Sequence, residues 1–235
     1  MTPFNNPQLK LAYDFAQYTG RNIFLTGKAG TGKTTFLHNL KKETNKRMIV
    51  VAPTGVAAIN AGGVTIHSFF QLPFGPQLPH NSSYDQNKNS SIRRFSKDKI
   101  NIIRSIDLLV IDEISMVRAD LLDGIDNTLR RFRNKNLPFG GVQLLLIGDL
   151  QQLAPVVKES EWNILRSYYN TAFFFSSIAL QKTKYVSIEL THVYRQSDQK
   201  FIKLLNNVRN NKLDKDVIDE LNKRYNPDFD SLQTE

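Results

Sequence analysis

The sequence predicts an α/β fold in which a buried parallel sheet is flanked by helices. Short runs rich in β-branched residues and leucine recur along the chain, and stretches with helical spacing separate several of them. A glycine-rich segment also follows the first of these runs directly. At 235 residues the chain has room for one α/β domain with a large core and for part of another unit.

Five short apolar runs predict strands, because each is bounded by polar or turn residues. They are residues 22–25, 48–51, 108–111, 142–147 and 185–190. Helices are predicted where apolar residues recur at helical spacing. These stretches are residues 7–18, 33–44, 117–133 and 199–210. Residues 77–91 are rich in Asn, Ser and Pro, which indicates a surface insertion.

The glycine-rich segment 27–34 reads Gly-Lys-Ala-Gly-Thr-Gly-Lys-Thr and fits the pattern G-x-x-x-x-G-K-[ST] at every fixed position. Its glycines let backbone N–H groups turn toward an anion, and the following helix directs its positive dipole end at phosphates. The alternative is an incidental glycine-rich turn, but this interpretation does not explain why a predicted strand precedes the segment and a predicted helix follows it. The segment therefore predicts nucleoside triphosphate binding, with Lys33 on the β- and γ-phosphates and Thr34 on Mg²⁺.

Two adjacent carboxylates, Asp112 and Glu113, follow the strand predicted at 108–111. Ligands bind at the carboxyl ends of strands in open parallel sheets. Asp112 would hold Mg²⁺ through its waters or together with the Thr34 hydroxyl, and Glu113 would polarise the attacking water as general base. The alternative is an acidic pair that caps the next helix, to which Ser115 could contribute.

Two other segments carry weaker signals. Residues 148–153 read Gly-Asp-Leu-Gln-Gln-Leu after a predicted strand, where a side-chain amide could sense the γ-phosphate, although Gly-Asp is an ordinary turn dipeptide. Residues 191–196 read Thr-His-Val-Tyr-Arg-Gln, which also fits a helix entry with a surface arginine.

The charge balance favours a polyanionic partner. Lysine and arginine number 31 against 22 acidic residues, which gives a formal charge of +9 and an isoelectric point near 9.6. A generally basic, soluble surface is the alternative. The chain has no cysteine, which excludes disulfides, thiolate zinc sites and thiol catalysis. With no leader pattern and no apolar run of membrane-spanning length, we expect a soluble protein that is not secreted and binds no membrane.

Residues 52–75 suit contact with a nucleic acid. A predicted strand leads through Pro-Thr-Gly into a helix of small residues, and the Thr54 hydroxyl with neighbouring amides suits a phosphate. Residues 65–75 then combine polar groups with aromatic rings that could stack on unpaired bases. Core packing is the alternative for each ring. His67 by itself is more often a hydrogen-bonded structural residue, and no second histidine stands at metal-ligand spacing.

Six segments, taken in order, resemble the PIF family of superfamily-one DNA helicases. They are residues 27–35, 52–58, 65–69, 111–116, 148–155 and 194–196. The resemblance implies a RecA-like P-loop NTPase: an ATP-binding domain at 1–184, with a small wedge element near 65–75, and the beginning of a second RecA-like domain at 185–235. It also implies an ATP-driven motor that moves five-prime to three-prime on single-stranded DNA. Such a motor unwinds duplexes and folded G-rich structures in DNA repair, recombination and telomere maintenance.

The resemblance assigns roles residue by residue. Catalysis would involve Lys33, Glu113, Gln152 on the γ-phosphate, and Arg195 at the first arginine-finger position. Gln8 resembles the glutamine that recognises adenine. The remaining nucleotide contacts would come from Gly27, Ala29, Gly30, Thr31, Gly32, Lys33, Thr34 and Thr35, with Thr34 and Asp112 on the metal. DNA contacts would come from Thr54, Gly55, Val56, His67, Ser68 and Phe70.

Beyond Arg195 the sequence departs from the family pattern. Nothing there resembles the rest of the second RecA-like fold, its inserted SH3-like module or the motif that supplies a second arginine, so we expect a partial helicase with weak hydrolysis. We expect a monomer that binds ATP, Mg²⁺, single-stranded DNA and single-strand/duplex junctions, in the cytoplasm or nucleoid of a prokaryote or the nucleus of a eukaryote. A clamp-loader-like P-loop ATPase and a nucleic-acid-binding module switched by nucleotide stay open as alternatives.

Overall fold

The computed structural model describes residues 6–79, 95–196 and 198–227, so most of the insertion predicted at 77–91 lies outside the described residues. The chain divides into two compact units, one up to Val193 and one from Tyr194 onward.

The first unit is built on one parallel sheet. Its strands in the described part of the chain are β1 (Asn22–Gly27), β2 (Met48–Ala52), β3 (Val64–Thr65), β4 (Leu108–Ile111), β5 (Gln143–Gly148) and β6 (Tyr185–Leu190). They lie in the order β3-β2-β4-β5-β1-β6, and every neighbouring pair is parallel. The five predicted strands are confirmed to within two residues at each end. The sixth, β3, has two residues and is too short to produce a hydrophobic pattern.

Helices cover the sheet, and the four predicted ones are all present. In the described residues the α-helices are α1 (Pro7–Tyr18), α2 (Lys33–Glu43), α3 (Gly55–Asn60), α4 (Ile66–Phe70), α5 (Lys97–Ser105), α6 (Ala119–Phe132), α7 (Glu159–Leu165), α8 (Ile178–Gln181), α9 (Gln199–Arg209) and α10 (Lys215–Asn222). Short 3₁₀ helices occupy Ile114–Met116, Pro138–Gly141 and Phe174–Ser176. The helix predicted to start at residue 117 starts at Ala119, because Arg118 is extended (φ −72°, ψ 151°).

The centre of the sheet is buried on both faces, as its continuous apolar runs predict. All residues of β4 and β5 are buried. Because successive side chains of a strand point to opposite faces, Leu109 and Ile111 pack in the core with α4, α5, α6 and α8, whereas Leu108 and Val110 pack with α1 and α2.

The carboxyl ends of these parallel strands lie along one edge of the sheet. Thr26 of β1 is in register with Gly148 of β5, and Leu146 of β5 is in register with Ile111 of β4. The segments that follow β1, β5 and β4 are therefore neighbours, although they are far apart in sequence.

The structure corrects the predicted domain boundary at residue 184. Strand β6 pairs with β1 along its whole length, from Asn22↔Tyr185 to Gly27↔Leu190, so it is the edge strand of the first sheet. The change in sequence character comes after the strand, and the first unit continues to Val193. That the remaining residues begin a second RecA-like domain stays a prediction.

The second unit has a small core of its own. Leu204 of α9 and Val217 of α10 are buried, Glu220 is paired with Lys200, and the Arg224 guanidinium lies 4.5 Å above the centre of the Phe201 ring. Among residues 194–196 and 198–227 there is no strand.

Candidate nucleotide and nucleic-acid site

The predicted phosphate-binding segment is a loop that joins β1 to α2. Gly30 and Gly32 have left-handed φ values of 77° and 89°, which glycine adopts without steric cost. The Thr31 hydroxyl donates to the carbonyl of Lys28 at 2.8 Å, which closes the loop on itself. The first N–H groups of α2 lack intrahelical acceptors, so they are available to an anion there. The exposed positions of this segment are Ala29, Thr34 and Thr35.

The Lys33 side chain folds back across this loop. Its ammonium donates to the carbonyl of Gly27 at 2.5 Å and to that of Lys28 at 3.0 Å. Neutral carbonyls bind an ammonium less strongly than phosphate oxygens do, because a charge on both partners shortens and strengthens the bond. The lysine is thus held close to where a phosphate would bind.

The first residue of the loop, Gly27, has no room for a side chain. A Cβ atom there would lie 2.7 Å from the carbonyl oxygen of Leu190 and 2.9 Å from the Thr31 hydroxyl. The end of β6 therefore packs directly against the phosphate-binding loop.

Asp112 and Glu113 follow β4 at the same edge. The Asp112 N–H donates to the carbonyl of Val51 at 2.9 Å. Burial raises the pKa of the Asp112 carboxyl to about 6, while the Glu113 N–H and the charge of Lys33 act in the opposite direction. Glu113 has a left-handed φ of 51°, which is uncommon for a residue with a side chain and is found at functional sites.

Capping by the acidic pair is not supported. Glu113 precedes the 3₁₀ helix Ile114–Met116, and no side chain caps that helix. Ser115 is 1% exposed, and its hydroxyl has no hydrogen-bond partner among the described residues.

The residues at this edge fit a magnesium ion. No cluster of three His, Asp or Glu side chains suited to a metal occurs among residues 6–79, 95–196 and 198–227. Mg²⁺ bound with nucleotide phosphates uses one or two protein ligands and keeps several waters. Burial disfavours the charged form of the Asp112 carboxyl, and a cation bound beside it would favour that form. Asp112 and the exposed Thr34 hydroxyl suit that role.

Gln152 lies in the turn after β5. Its side-chain amide donates to the Asp149 carboxylate at 3.1 Å, and that carboxylate also accepts the N–H of Gln151. Asp149 is 2% exposed, so the exposed Gln152 side chain is held by a buried carboxylate. Asp149 was not predicted as a site residue, and its only sequence signal was its place directly after a buried strand.

Gln8 reaches the same edge from α1. Its side chain lies 3.4 Å from the hydroxyl of Thr191, which directly follows β6. Asn6 caps α1 by accepting the N–H of Gln8 at 2.8 Å. The glutamine is therefore placed beside the strand that neighbours the phosphate-binding loop.

Thr54, Gly55 and Val56 are exposed at the start of α3, after β2. The Thr54 hydroxyl accepts the N–H of Ala57 at 3.2 Å and so caps the helix. A hydroxyl that accepts one bond can still donate its own proton to a phosphate.

His67 and Ser68 lie on α4, directly after β3. Ser68 is exposed, and the His67 ring stacks on Phe74 with centroids 4.9 Å apart and planes at 25°. Burial, together with the charge of Arg118, lowers the pKa of His67. Phe74 is 88% exposed, although its ring is large and apolar.

The prediction that Phe70 contacts DNA is wrong. Phe70 is 1% exposed and packs in the core, edge-on to Phe69 with centroids 4.9 Å apart. Core packing is therefore the correct interpretation for these two rings. Phe74 is the accessible aromatic of this region, and its position between Pro73 and Gly75 was the signal, because neither neighbour suits a helix interior.

Arg195 belongs to the second compact unit, where it is exposed. Its role as an arginine finger stays a prediction.

The sequence pattern of the PIF1-like helicase family matches residues 9–219. The chain belongs to this family. It is 38% identical to the human ATP-dependent DNA helicase PIF1 over 223 residues, and this alignment covers 93% of this chain and 32% of the relative. It is 36% identical to the ATP-dependent DNA helicase RRM3 of Saccharomyces cerevisiae over 214 residues, and that alignment covers 89% of this chain and 28% of the relative.

Solved structures of PIF1-like helicases share this fold. The Pif1 helicase from Bacteroides in complex with ADP-AlF3 and single-stranded DNA is 44% identical with a TM-score of 0.88, over 96% of this chain and 51% of that one. The PIF1-like chain therefore spans about half of that structure and between about a fifth and a third of its curated relatives. The predicted family and RecA-like fold are confirmed, and the clamp-loader-like alternative is set aside.

No helix within the described residues is both long and apolar enough to cross a bilayer.

Proposed function

We propose that this PIF1-like chain is an ATP-dependent DNA helicase motor that binds and hydrolyses ATP and binds single-stranded DNA. The observation that carries the proposal is the convergence of Lys33, Asp112, Glu113 and Gln152 at one edge of the sheet, after the neighbouring strands β1, β4 and β5. The names of its relatives and the nucleotide analogue and DNA bound by the Bacteroides helicase support it.

Each residue at this edge has a chemical role in the proposal. The Lys33 ammonium exchanges its carbonyl partners for phosphate oxygens, and the Gln152 amide is oriented by Asp149 toward the γ-phosphate. Glu113 accepts the proton of the attacking water. Asp112 and Thr34 would hold Mg²⁺, which would supply positive charge to the phosphates when bound.

DNA would bind along the other half of the same edge. Thr54 to Val56 follow β2, and His67, Ser68 and Phe74 follow β3, whereas the nucleotide residues follow strands on the far side of β2. Exposed hydroxyls, helix N-termini and an exposed ring are groups that contact phosphates and unpaired bases. The charge of +9 favours a polyanion.

The finer properties rest on the family resemblance. We propose a monomer that moves five-prime to three-prime, unwinds single-strand/duplex junctions and folded G-rich structures, and uses Arg195 as an arginine finger. Its place of action would be the nucleoid of a prokaryote or the nucleus of a eukaryote.

The test is ATP hydrolysis by the 235-residue chain with and without a single-stranded oligonucleotide. We expect DNA to raise the rate, and blunt duplex of equal length to raise it less. Glu113→Gln serves as the control for contaminating ATPase activity, because the hydrolysis that remains in this variant gives the background rate. A hydrolysis rate that does not change when DNA is added would contradict the proposal of a DNA-dependent motor. A DNA affinity that changes with bound nucleotide, without hydrolysis, would instead support the nucleic-acid-binding module switched by nucleotide.

A further inference from the structure

The Arg118 side chain is mostly buried, and its guanidinium joins three separate segments of the chain. Its side chain is 14% exposed. It pairs with the carboxylate of Asp120 through two hydrogen bonds of 2.9 and 2.8 Å. It also donates to Glu161 of α7 at 3.1 Å and to the backbone carbonyl of Gly75 at 2.9 Å.

The loop that follows α4 is held by this network at residues 73–77. The Gln77 side chain donates to the carbonyls of Pro73 at 2.9 Å and Gly75 at 3.2 Å, which closes a tight turn. The Gln77 N–H donates to Asp120 at 2.8 Å. Arg118 and Asp120 thus hold both sides of the turn that carries Phe74.

Phe74 needs this support because burial does not hold it. With 88% of its surface exposed, the ring gains little from packing beyond its stack on His67. The direction of an exposed ring on a loop is then set by the backbone of that loop. Gly75, with a left-handed φ of 97°, is the residue at which the turn reverses.

The backbone of Arg118 is itself fixed. Arg118 forms an antiparallel bridge with Phe173, and the N–H of Ala119 donates to the carbonyl of Ala172 at 2.9 Å. Its partner Glu161 lies in the first turn of α7, the helix that follows the segment with Gln152. The arginine is therefore a fixed connection between α7 and the loop that carries Phe74.

We propose that Arg118 is a positioning residue for DNA binding, which fixes the exposed Phe74 ring through the Gly75 carbonyl and Asp120. The inference rests on the proposed function, since it takes single-stranded DNA as the ligand of that ring. A planar fork can contact Asp120, Glu161 and Gly75 together, whereas the point charge of a lysine cannot replace that geometry.

A double-mutant cycle tests the proposal. The affinity for a fluorescein-labelled oligo-dT is measured for the 235-residue chain, Arg118→Lys, Phe74→Ala and the double variant. We expect each single change to weaken binding about fivefold or more, which is the scale of one lost base stack. The double variant should be no weaker than the weaker single variant, because Arg118 acts through Phe74. Additive losses, or parental affinity for Arg118→Lys, would overturn the proposal.

Two controls separate positioning from loss of fold or charge. Arg130→Lys changes another arginine of the same region, paired with Asp126 on α6, and should leave DNA affinity unchanged. Binding of a fluorescent ADP analogue by Arg118→Lys should match the parental value.

Amide exchange at Gln77 is a direct measure of how well the turn is held. It should be faster in Arg118→Lys, because Asp120, which accepts the Gln77 N–H, loses the arginine that fixes it. Unchanged exchange at Gln77 would count against the proposal.

If Arg118→Lys does not fold, Gln77→Ala serves as a second variant, because it removes the side-chain hydrogen bonds to Pro73 and Gly75 that close the same turn. It should lower DNA affinity in the chain with Phe74 and cause no further loss in Phe74→Ala. A loss of affinity that adds to that of Phe74→Ala would overturn the proposal. Absence of DNA binding by the parental chain would contradict the proposed function and this inference with it. Parental DNA binding that Phe74→Ala weakens and Arg118→Lys does not would contradict this inference alone.

Discussion

The ammonium nitrogen of Lys33 lies 2.5 Å from the carbonyl oxygen of Gly27, at the opposite end of the same loop. A nucleotide would take this ammonium from neutral partners and give it charged ones, so its removal should cost binding directly. We expect Lys33→Ala to weaken Mg-ATP binding roughly ten- to hundredfold, as a lost hydrogen bond between charged groups does. Nucleotide titration measures this. Lys28→Ala, in the same loop at an unconstrained position of the pattern, is the matched control and should bind nearly normally.

Glu113→Gln should separate binding from hydrolysis. The amide keeps the size of the side chain and the backbone of the turn but cannot accept the proton of the attacking water. Single-turnover hydrolysis should fall by about 10²- to 10⁴-fold, while nucleotide affinity stays close to the parental value. Glu159→Gln, an exposed carboxylate at the start of α7, should hydrolyse ATP like the parent. A parental rate for Glu113→Gln would rule out Glu113 as the base.

Single-stranded DNA should bind with strong salt dependence and little sequence preference. The exposed groups after β2 and β3 suit phosphates and base faces, and the chain carries a charge of +9. Anisotropy measured over a salt series should give a log affinity that falls linearly with log salt concentration. An affinity that does not change with salt, or equal affinity for blunt duplex, would contradict this prediction.

Two phenylalanines four positions apart should differ strongly in how much they stabilise the fold. Phe70→Ala opens a cavity in the core and should lower the free energy of unfolding by about 3–5 kcal/mol. Phe74→Ala removes an exposed ring and should change it by no more than about 0.5 kcal/mol. Urea denaturation of both variants measures the difference. Similar losses in the two variants would show that Phe74 is packed in solution.

The ion pair between Asp107 and Arg47 should make stability depend on pH in the acid range. Arg47 donates to both carboxylate oxygens, at 2.8 and 2.7 Å, and holds the pKa of Asp107 at about 2, below its ordinary value of 3.8. Since the folded pKa is the lower one, the contribution is present above about pH 4 and is lost as pH falls toward 2. The stability difference between the parent and Asp107→Asn should shrink over that window. A difference that stays constant from pH 6 to 2 would contradict the pairing.

The centre of the sheet was predictable because a strand that is buried on both faces is a continuous apolar run, as in β4 and β5. The phosphate-binding loop was predictable because its backbone geometry requires glycine at fixed positions, which leaves a readable pattern. The position of β6 was not, because Tyr185 to Leu190 looks the same whether it closes one sheet or opens another. Only pairing with β1 decides this, and pairing is a property of distant residues.

The aromatic residues show a second limit. Phe69, Phe70 and Phe74 have similar composition around them, yet two are in the core and one is 88% exposed. What separates them is the end of α4 at Phe70 and the turn held by Arg118, which lies far along the chain. Asp149 and Arg118 were missed for the same reason, since a lone charged residue carries no periodic signal and its partners appear only in the fold.

The pairing of β1 also has a consequence for how the protein forms during synthesis. The Asn22 side chain accepts a hydrogen bond from the N–H of Leu144, 122 residues later, and donates one to the carbonyl of Lys184, 162 residues later. Both neighbours of the strand that leads into the phosphate-binding loop are therefore translated long after it. Contacts of such large sequence separation form slowly, since a long segment must be ordered before they are gained. During synthesis, β1 has neither neighbour until residues of β5 emerge, and its other edge stays unpaired until residues of β6 emerge, so we expect this apolar strand to be exposed to misassociation over that interval.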